Sequence, residues 1–146
     1  MNNIACVWVP PKYNMSYVET LYNSVKRNTT QSFNFYCLTT HPQEINNPNI
    51  IPIALEKDTL FESDRKRWWY KSNLFNEHNW EGQILYLDLD IVIIGSLDKF
   101  FEWKVDKFRI CQDFNRHSMP NYKISNSSVM AFNANSYTNF YNEFQE

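Results

Sequence analysis

Two aspartates one residue apart are the residues whose spacing most clearly suggests chemistry. Residues 84–98 read ILYLDLDIVIIGSLD, so Asp88 and Asp90 stand between two apolar runs. In an extended chain, residues i and i+2 point to the same side with their Cα atoms about 6.5–7 Å apart, and both carboxylates can reach one ion. Such a pair repels unless positive charge lies between the acids, and hard oxygen ligands suit Mg²⁺ or Mn²⁺. The pair predicts a divalent-cation site; the alternative is two solvated acids in a polar loop.

The elements that would position these acids alternate between strands and helices. The pattern predicts strands at 4–9, 33–38, 50–54, 83–87, 91–94, 109–112 and 129–132, and helices at 68–75, 97–101 and 136–144. A further helix is predicted to open with a capping box over Ser16–Glu19, and the last helix to be capped by Asn135 or Ser136. This order predicts an α/β fold with a mostly parallel central sheet flanked by helices, as a single domain over residues 1–146. Ligands of such sheets bind beyond the carboxyl ends of strands, which is where the two acids fall.

Composition narrows the class of function. The net charge of -2 gives no general attraction to nucleic acid, and the two glycines are too few for a Rossmann fingerprint or a phosphate-binding P-loop. No apolar run approaches the roughly 20 residues that span a bilayer. The N-terminus lacks the pattern of a signal peptide, and the three cysteines have no zinc spacing. We therefore expect a cytoplasmic protein with reduced thiols.

Four segments in order resemble the glycogenin-like (family eight) glycosyltransferases. The segment ILYLDLDIVIIGSLDKFF resembles the D-x-D segment of that family, and WWYKSNLF resembles the helix whose lysine points toward the donor. ICQDF is similar to the strand whose terminal aspartate binds sugar hydroxyls, and SNSSVMAFN to the Asn-Ser-Gly-Val segment that lines the sugar pocket. The resemblance implies a glycosyltransferase A-type (Rossmann-like) fold and a hexosyltransferase that uses a UDP-sugar such as UDP-glucose, with retention of configuration.

The resemblance also implies roles for particular residues. Asp88 and Asp90 would hold Mn²⁺ (or Mg²⁺), Lys71 would assist the phosphates or the sugar, and Asp113 would bind sugar hydroxyls, which makes Lys71 and Asp113 the catalytic candidates. Tyr13 is the candidate for stacking on uracil, with ordinary packing as the alternative. Either Arg65 or Arg67 would clamp the diphosphate, unless this segment is a solvated helix start. The implied donor-binding set is Trp8, Val9, Pro10, Tyr13, Arg67, Lys71, Asp88, Leu89, Asp90, Asp113, Asn126 and Ser127.

The sequence departs from the family's pattern in three places. It contains no His-x-x-Gly-x-x-Lys-Pro-Trp segment, which carries the third metal ligand, and no Asp-x-Gln segment near the anomeric carbon. Ser128 stands where the family has the glycine of Asn-Ser-Gly. We therefore expect a short form that contains the donor-binding half, with an unidentified glycan or protein acceptor and with donor hydrolysis as a further outcome. A homodimer would be one way to complete the site.

Three other classes of function fit the sequence less well. A phosphatase of the haloacid-dehalogenase type needs a small residue and a threonine after the acids, where this chain has Ile91 and Val92. Binding of single-stranded nucleic acid by Trp68 and Trp69 is disfavoured by the acidic chain. A non-catalytic domain that binds a nucleotide sugar or a metal remains the main alternative.

Overall fold

The computed structural model describes residues 2–57, 67–102 and 107–145, with side chains as far as residue 143. Within these ranges the strands are β1 (Asn2–Trp8), β2 (Asn34–Thr39), β3 (Ile50–Ala54), β4 (Gln83–Leu87), β5 (Arg109–Gln112) and β6 (Ser125–Asn133). The α-helices are α1 (Met15–Arg27), α2 (Asp98–Glu102) and α3 (Thr138–Gln145). Shorter 3-10 helices cover Pro42–Glu44, Arg67–Phe75 and Phe114–His117. No described helix is long and apolar enough to cross a bilayer.

The six strands form one sheet in the order β3-β2-β1-β4-β6-β5. Strands β3, β2, β1 and β4 run parallel, whereas β6 is antiparallel to both β4 and β5. The chain moves outward from β1 through β2 to β3, and then returns to place β4 on the other side of β1. This reversal makes the gap beyond the carboxyl ends of β1 and β4 a topological switch point, where open α/β sheets bind ligands.

Each face of the sheet carries its own apolar cluster. The even-numbered residues of β1 and the odd-numbered residues of β4, including Ile4, Cys6, Leu85 and Leu87, pack with α1. The opposite face packs Ala5, Ile84 and Tyr86 together with Leu74 and Phe132. Side chains alternate along a strand, so odd-numbered residues of β4 face α1 and even-numbered residues face the opposite side. The residues directly after β4 are expected to continue this alternation.

Helix α1 begins differently from the prediction. Asn14 is the N-cap, and its side chain accepts a hydrogen bond from the backbone N–H of Ser16 at 3.1 Å. The carboxylate of Glu19 does not reach back to Ser16 but accepts from the side chain of Asn47 at 2.9 Å. The capping box over Ser16–Glu19 was therefore wrong, because Asn14 is an equally good cap that lies two residues earlier.

The strand predicted at residues 91–94 is also wrong. This stretch has no strand pairing, although its apolar residues alternate. Ile91 and Ile93 pack against the core, whereas Val92 is 82% exposed and Ile94 is 94% exposed. The alternation of apolar residues here reflects packing of one side of an irregular segment against the core. Strands β1 and β6 already pair with the two edges of β4.

Two further differences concern helix types and ends. The helix predicted near residues 68–75 is a 3-10 helix, Arg67–Phe75. Asn135 has a left-handed backbone with φ 58°, and its side chain bonds the backbone of His78 and Trp80 instead of capping α3. Asn135 therefore joins the start of the closing segment to the loop before β4.

A buried asparagine ties three strands together at the amino ends of the sheet. The side-chain amide of Asn3 donates to the backbone carbonyls of Glu81 and Gln83 at 2.7 and 3.2 Å. Its oxygen accepts from the side chain of Asn34 at 3.1 Å. Asn3 is 1% exposed, so these bonds satisfy a polar group that would otherwise be costly to bury.

Candidate functional site

Asp88 and Asp90 reach the same cavity from the segment that follows β4. Leu87 and Leu89 belong to the α1-side core, whereas the two acids continue the parity of Tyr86 toward the opposite face. The cavity measures about 580 Å³ and lies beyond the carboxyl ends of β1 and β4. Its lining residues are Val7, Val9, Pro11, Lys12, Tyr13, Arg67, Trp68, Lys71, Tyr86, Asp88, Leu89 and Asp90. The predicted projection of both acids to one side is thus present in the fold.

Asp88 is held by groups from three elements. The ammonium group of Lys71, on the 3-10 helix, lies 2.6 Å from Oδ1 and 2.9 Å from Oδ2 of Asp88. The hydroxyl of Tyr86 also donates to Oδ1, and the backbone N–H of Asp88 donates to the carbonyl of Ser128 at 2.9 Å. Burial, followed by the charge of Asp88, raises the pKa of Tyr86 well above its ordinary value. The phenol is therefore a hydrogen-bond donor at neutral pH.

Asp90 is held from the other side of the cavity. The hydroxyl of Tyr13 donates to Oδ2 of Asp90 at 2.6 Å, and this bond is the main cause of the raised pKa of Tyr13. Tyr13 lies in the loop after β1, where the buried indole of Trp8 donates to its backbone carbonyl at 2.8 Å. The Trp8 indole thus anchors the backbone of this loop, while the phenol of Tyr13 faces Asp90.

The charges around the cavity favour an anion combined with a cation. Three cationic side chains line it, those of Lys12, Arg67 and Lys71, against the carboxylates of Asp88 and Asp90. With all five ionised, the formal sum is 3 − 2 = +1. A divalent ion on the carboxylates would leave the lining strongly positive, which matches a diphosphate. The wall formed by Val7, Val9 and Pro11 offers an apolar surface for a flat ring.

The donor set fits Mg²⁺ or Mn²⁺ on condition that the ligand supplies further oxygens. Among the described residues, no group of three or more His, Cys, Asp or Glu side chains is placed to hold a metal. Mg²⁺ is commonly bound through one or two carboxylates together with substrate phosphates, so two hard oxygen donors facing one cavity suffice. Asp88 would then share its carboxylate between the ion and Lys71.

The remaining predicted residues lie at varying distances from this cavity. The side chain of Trp8 is 1% exposed and packs in the core, and Pro11 lines the cavity instead of Pro10. Donor binding by Trp8 and Pro10 therefore stays a prediction that the cavity lining does not support directly. Ser127 is connected to the cavity, because Lys71 donates to its hydroxyl at 3.3 Å.

Asp113 and Asn126 do not line the cavity. Asp113 caps the 3-10 helix Phe114–His117 by accepting from the N–H of Asn115, and Asn126 accepts from the N–H of Ser128. Both side chains are thus engaged in local turns. Arg65, the alternative to Arg67, lies outside the described residues, whereas Arg67 lines the cavity.

Sequence reasoning missed five cavity residues, namely Val7, Pro11, Lys12, Trp68 and Tyr86. The signal for Tyr86 was available, since it lies two residues before Asp88 and shares its side of an extended chain. Trp68 was not predicted to belong to the site, yet it is 59% exposed at the cavity wall.

Comparison with known proteins identifies the architecture. No protein-family model matches the chain, and no curated protein matches it. Among solved structures, the galactosyltransferase LgtC in complex with donor and acceptor sugar analogues matches with a TM-score of 0.66 and 13% identity over 94% of this chain. An active-site variant of LgtC matches with a TM-score of 0.71 and 13% identity over 99% of this chain. The fold is of the glycosyltransferase A type.

Other solved proteins share the glycosyltransferase A-type fold with this chain. The apo form of GlyE from Streptococcus pneumoniae TIGR4 matches with a TM-score of 0.64 and 12% identity over 99% of this chain and 36% of its own length. Mouse xyloside xylosyltransferase 1 matches with a TM-score of 0.57 and 14% identity over the whole of this chain and 72% of its own. The chain spans 59% and 65% of the two LgtC structures. At these identities the glycosyltransferase A-type match establishes the fold.

Proposed function

We propose that the chain is the donor-binding core of a metal-dependent glycosyltransferase that uses a UDP-sugar. The observation that carries the proposal is the convergence of Asp88 and Asp90 on one cavity at the switch point of the sheet, opposite Lys71 and Arg67. An apolar wall on the β1 side suits the base, and the charged side suits the diphosphate. The glycosyltransferase A-type fold and the family resemblance of four ordered segments support the same assignment.

The chemistry is the replacement of a diphosphate by an acceptor oxygen. The bond between the anomeric carbon and the β-phosphate oxygen breaks, and its electron pair goes to the departing UDP. A bond forms between the acceptor hydroxyl oxygen and the same carbon, and the hydroxyl proton is released. Lys71 and Arg67 would stabilise the negative charge that grows on the diphosphate, because cationic donors fixed at the developing charge lower the barrier. A divalent ion, when bound, supplies Lewis-acid stabilisation of that charge.

The finer assignments follow the resemblance. A hexose such as glucose would be the donor sugar, with retention of configuration, and Asp113, Asn126 and Ser127 would bind its hydroxyls. Of these, Ser127 has the most direct support, since its hydroxyl shares Lys71 with Asp88. A rearrangement of the turns around Asp113 and Asn126 would be needed for their side chains to face a ligand. A glycan or protein hydroxyl would be the acceptor, and a second copy of the chain is proposed as the source of further walls.

Thermal unfolding with a panel of nucleotide sugars tests the proposal. Each sugar is added with Mn²⁺ and with EDTA, to the parent chain, to Asp90→Asn and to a control, Glu143→Gln, on α3. A ligand at about 100 times its Kd adds about 2.7 kcal/mol of stability. We expect one UDP-sugar to raise the Tm in the presence of Mn²⁺ in the parent and the control, and not in Asp90→Asn.

Release of UDP then separates turnover from binding. A Mn²⁺-dependent stabilisation accompanied by UDP release supports the transferase or its hydrolytic side reaction. The same stabilisation without release, with a range of acceptors, would favour the alternative of a non-catalytic nucleotide-sugar-binding domain. If UDP binding were unaffected by EDTA and by Asp90→Asn, the metal-bridged arrangement would be wrong.

A further inference from the structure

Each of the two cavity aspartates accepts a hydrogen bond from a different tyrosine. The Tyr13 hydroxyl lies 2.6 Å from Oδ2 of Asp90, and the Tyr86 hydroxyl bonds Oδ1 of Asp88. The two phenols come from different elements, since Tyr13 lies in the loop after β1 and Tyr86 belongs to β4. The Tyr13–Asp90 bond joins residues 77 apart in the chain and therefore depends on the tertiary fold, whereas the Tyr86–Asp88 bond joins residues two apart that project to the same side of the chain.

The tyrosines are themselves well fixed. Tyr13 is held through its carbonyl by the Trp8 indole, its ring packs on Tyr17 with centroids 4.7 Å apart, and the ammonium group of Lys12 lies 4.6 Å from its ring centroid. Tyr86 is 1% exposed within the sheet. A phenol that is fixed in this way holds its acceptor in one orientation, which a water molecule would not do.

We propose that Tyr13 and Tyr86 are positioning residues that orient the carboxylates of Asp90 and Asp88 for a divalent cation, a role that rests on the proposed function. The phenol of Tyr13 occupies Oδ2 of Asp90 and leaves Oδ1 for the ion. Groups that hydrogen-bond metal-binding carboxylates fix their direction, and their loss typically lowers metal affinity or activity 10–100-fold. Because Tyr13 lies in the β1 loop, the orientation of Asp90 also depends on the wall proposed to bind the base.

The test measures Mn²⁺ binding to the chain in the presence of UDP by electron paramagnetic resonance of the free ion. The variants are Tyr13→Phe and Tyr86→Phe, which keep the rings and remove only the hydroxyls. Tyr17→Phe, on the exposed side of α1, and Tyr22→Phe, in the core, are the matched controls. We expect about 10–100-fold weaker Mn²⁺ binding in each cavity variant and unchanged binding in the controls. Thermal unfolding without ligands checks that all four variants fold.

A second measurement separates positioning from a general structural role. UDP affinity is compared at a fixed Mn²⁺ concentration for Tyr13→Phe in the parent and in the Asp90→Asn background. If Tyr13 acts through Asp90, loss of its hydroxyl should lower the UDP affinity only where Asp90 is intact. If Tyr13 has a general structural role, Tyr13→Phe lowers the UDP affinity in both backgrounds, and this result would overturn the inference.

The outcomes also distinguish this inference from the proposed function. If the parent chain binds UDP with Mn²⁺ and both tyrosine variants bind Mn²⁺ equally well, the inference alone is wrong. If the parent chain shows no Mn²⁺-dependent binding of UDP, the proposed function is contradicted and the positioning role fails with it.

Discussion

The ammonium group of Lys71 lies within 3 Å of both carboxylate oxygens of Asp88, at 2.6 and 2.9 Å. The two side chains are 23% and 18% exposed, so the pair is partly desolvated and stronger than an ordinary surface ion pair. One positive charge thus already compensates the acid that the sequence suggested would need a metal. Under the proposed function, a divalent cation would share Asp88 with Lys71, and a diphosphate would give the lysine a new partner.

Lys71→Met should change the affinities for cation and nucleotide in opposite directions. Removing the ammonium group leaves Asp88 uncompensated, so Mn²⁺ alone should bind more tightly, whereas UDP in the presence of Mn²⁺ should bind more weakly. A hydrogen bond to a charged group contributes about 1.5–3 kcal/mol, which corresponds to roughly tenfold or more in the Kd of UDP. Titration calorimetry of Mn²⁺ and of UDP measures both, with Lys26→Met on α1 as the control. Weaker binding of both ligands would argue that Lys71 acts only by holding the fold together.

Trp68→Ala should weaken ligand binding and leave stability nearly unchanged. Trp68 is 59% exposed and lines the cavity, so its ring is available to a base or a sugar and contributes little to the core. Loss of a stacked ring typically costs about 1–3 kcal/mol, so the KM for the donor or the acceptor should rise about fivefold or more. Steady-state kinetics and thermal unfolding provide the two measurements. Trp69→Ala is the control, because Trp69 is 43% exposed and does not line the cavity; equal effects of the two substitutions would contradict the prediction.

Asp98 should stabilise the fold at neutral pH and cease to do so in acid. Hydrogen bonds from Thr29 and Thr30 lower the pKa of Asp98 from 3.8 to about 2. Since the folded pKa lies below the ordinary value, the stabilisation is complete above about pH 4 and is lost as the pH falls toward 2. Urea unfolding of Asp98→Asn should therefore differ most from the parent at pH 7 and converge with it near pH 2. Glu102→Gln, at the end of α2, should not show this pattern.

Asn3→Ala should destabilise the chain far more than Asn2→Ala. The substitution at Asn3 removes the side-chain donor that bonds the carbonyls of Glu81 and Gln83 in a partly buried position, and an unsatisfied buried polar group costs about 1–3 kcal/mol. Asn2 is only half-buried, and its side chain bonds Gln31 and Ser32 near the surface. Chemical denaturation gives both free energies of unfolding. A cost below 0.5 kcal/mol for Asn3→Ala, about the size of an ordinary surface substitution, would contradict the proposed tie.

The strands that form the site could be predicted because burial alone determines them. The apolar run before Asp88 becomes β4, and alternation placed both acids on one side of it. The irregular stretch at 91–94 could not be recognised from its alternation. This alternation arises from packing beside the sheet, where β1 and β6 already pair with both edges of β4. Whether an alternating run pairs as a strand depends on long-range neighbours, which the local pattern does not contain.

The partners of the acids were harder to predict than their location. Lys71 was assigned to phosphate or sugar, and its ion pair with Asp88 depends on where the 3-10 helix crosses the sheet. The Tyr13–Asp90 bond spans the switch point and needs the β1 loop to fold back, which spacing cannot reveal. Tyr86 is the exception, since its parity with Asp88 was visible in the sequence.

The hydrogen bonds of Asn3 affect the register of β4 as well as the stability of the fold. If β4 slipped by one residue against β1, every side chain of β4 would change face, and leucines instead of aspartates would point into the cavity. Asn3 recognises two particular carbonyls beside β4, so a slipped pairing would leave its amide without one of them. A polar group at the amino end of the sheet therefore favours the register of β4 that places the aspartates in the cavity at the opposite end. The buried side chain of Asn3, at the end of the sheet away from the cavity, thus helps to determine which side chains face a ligand.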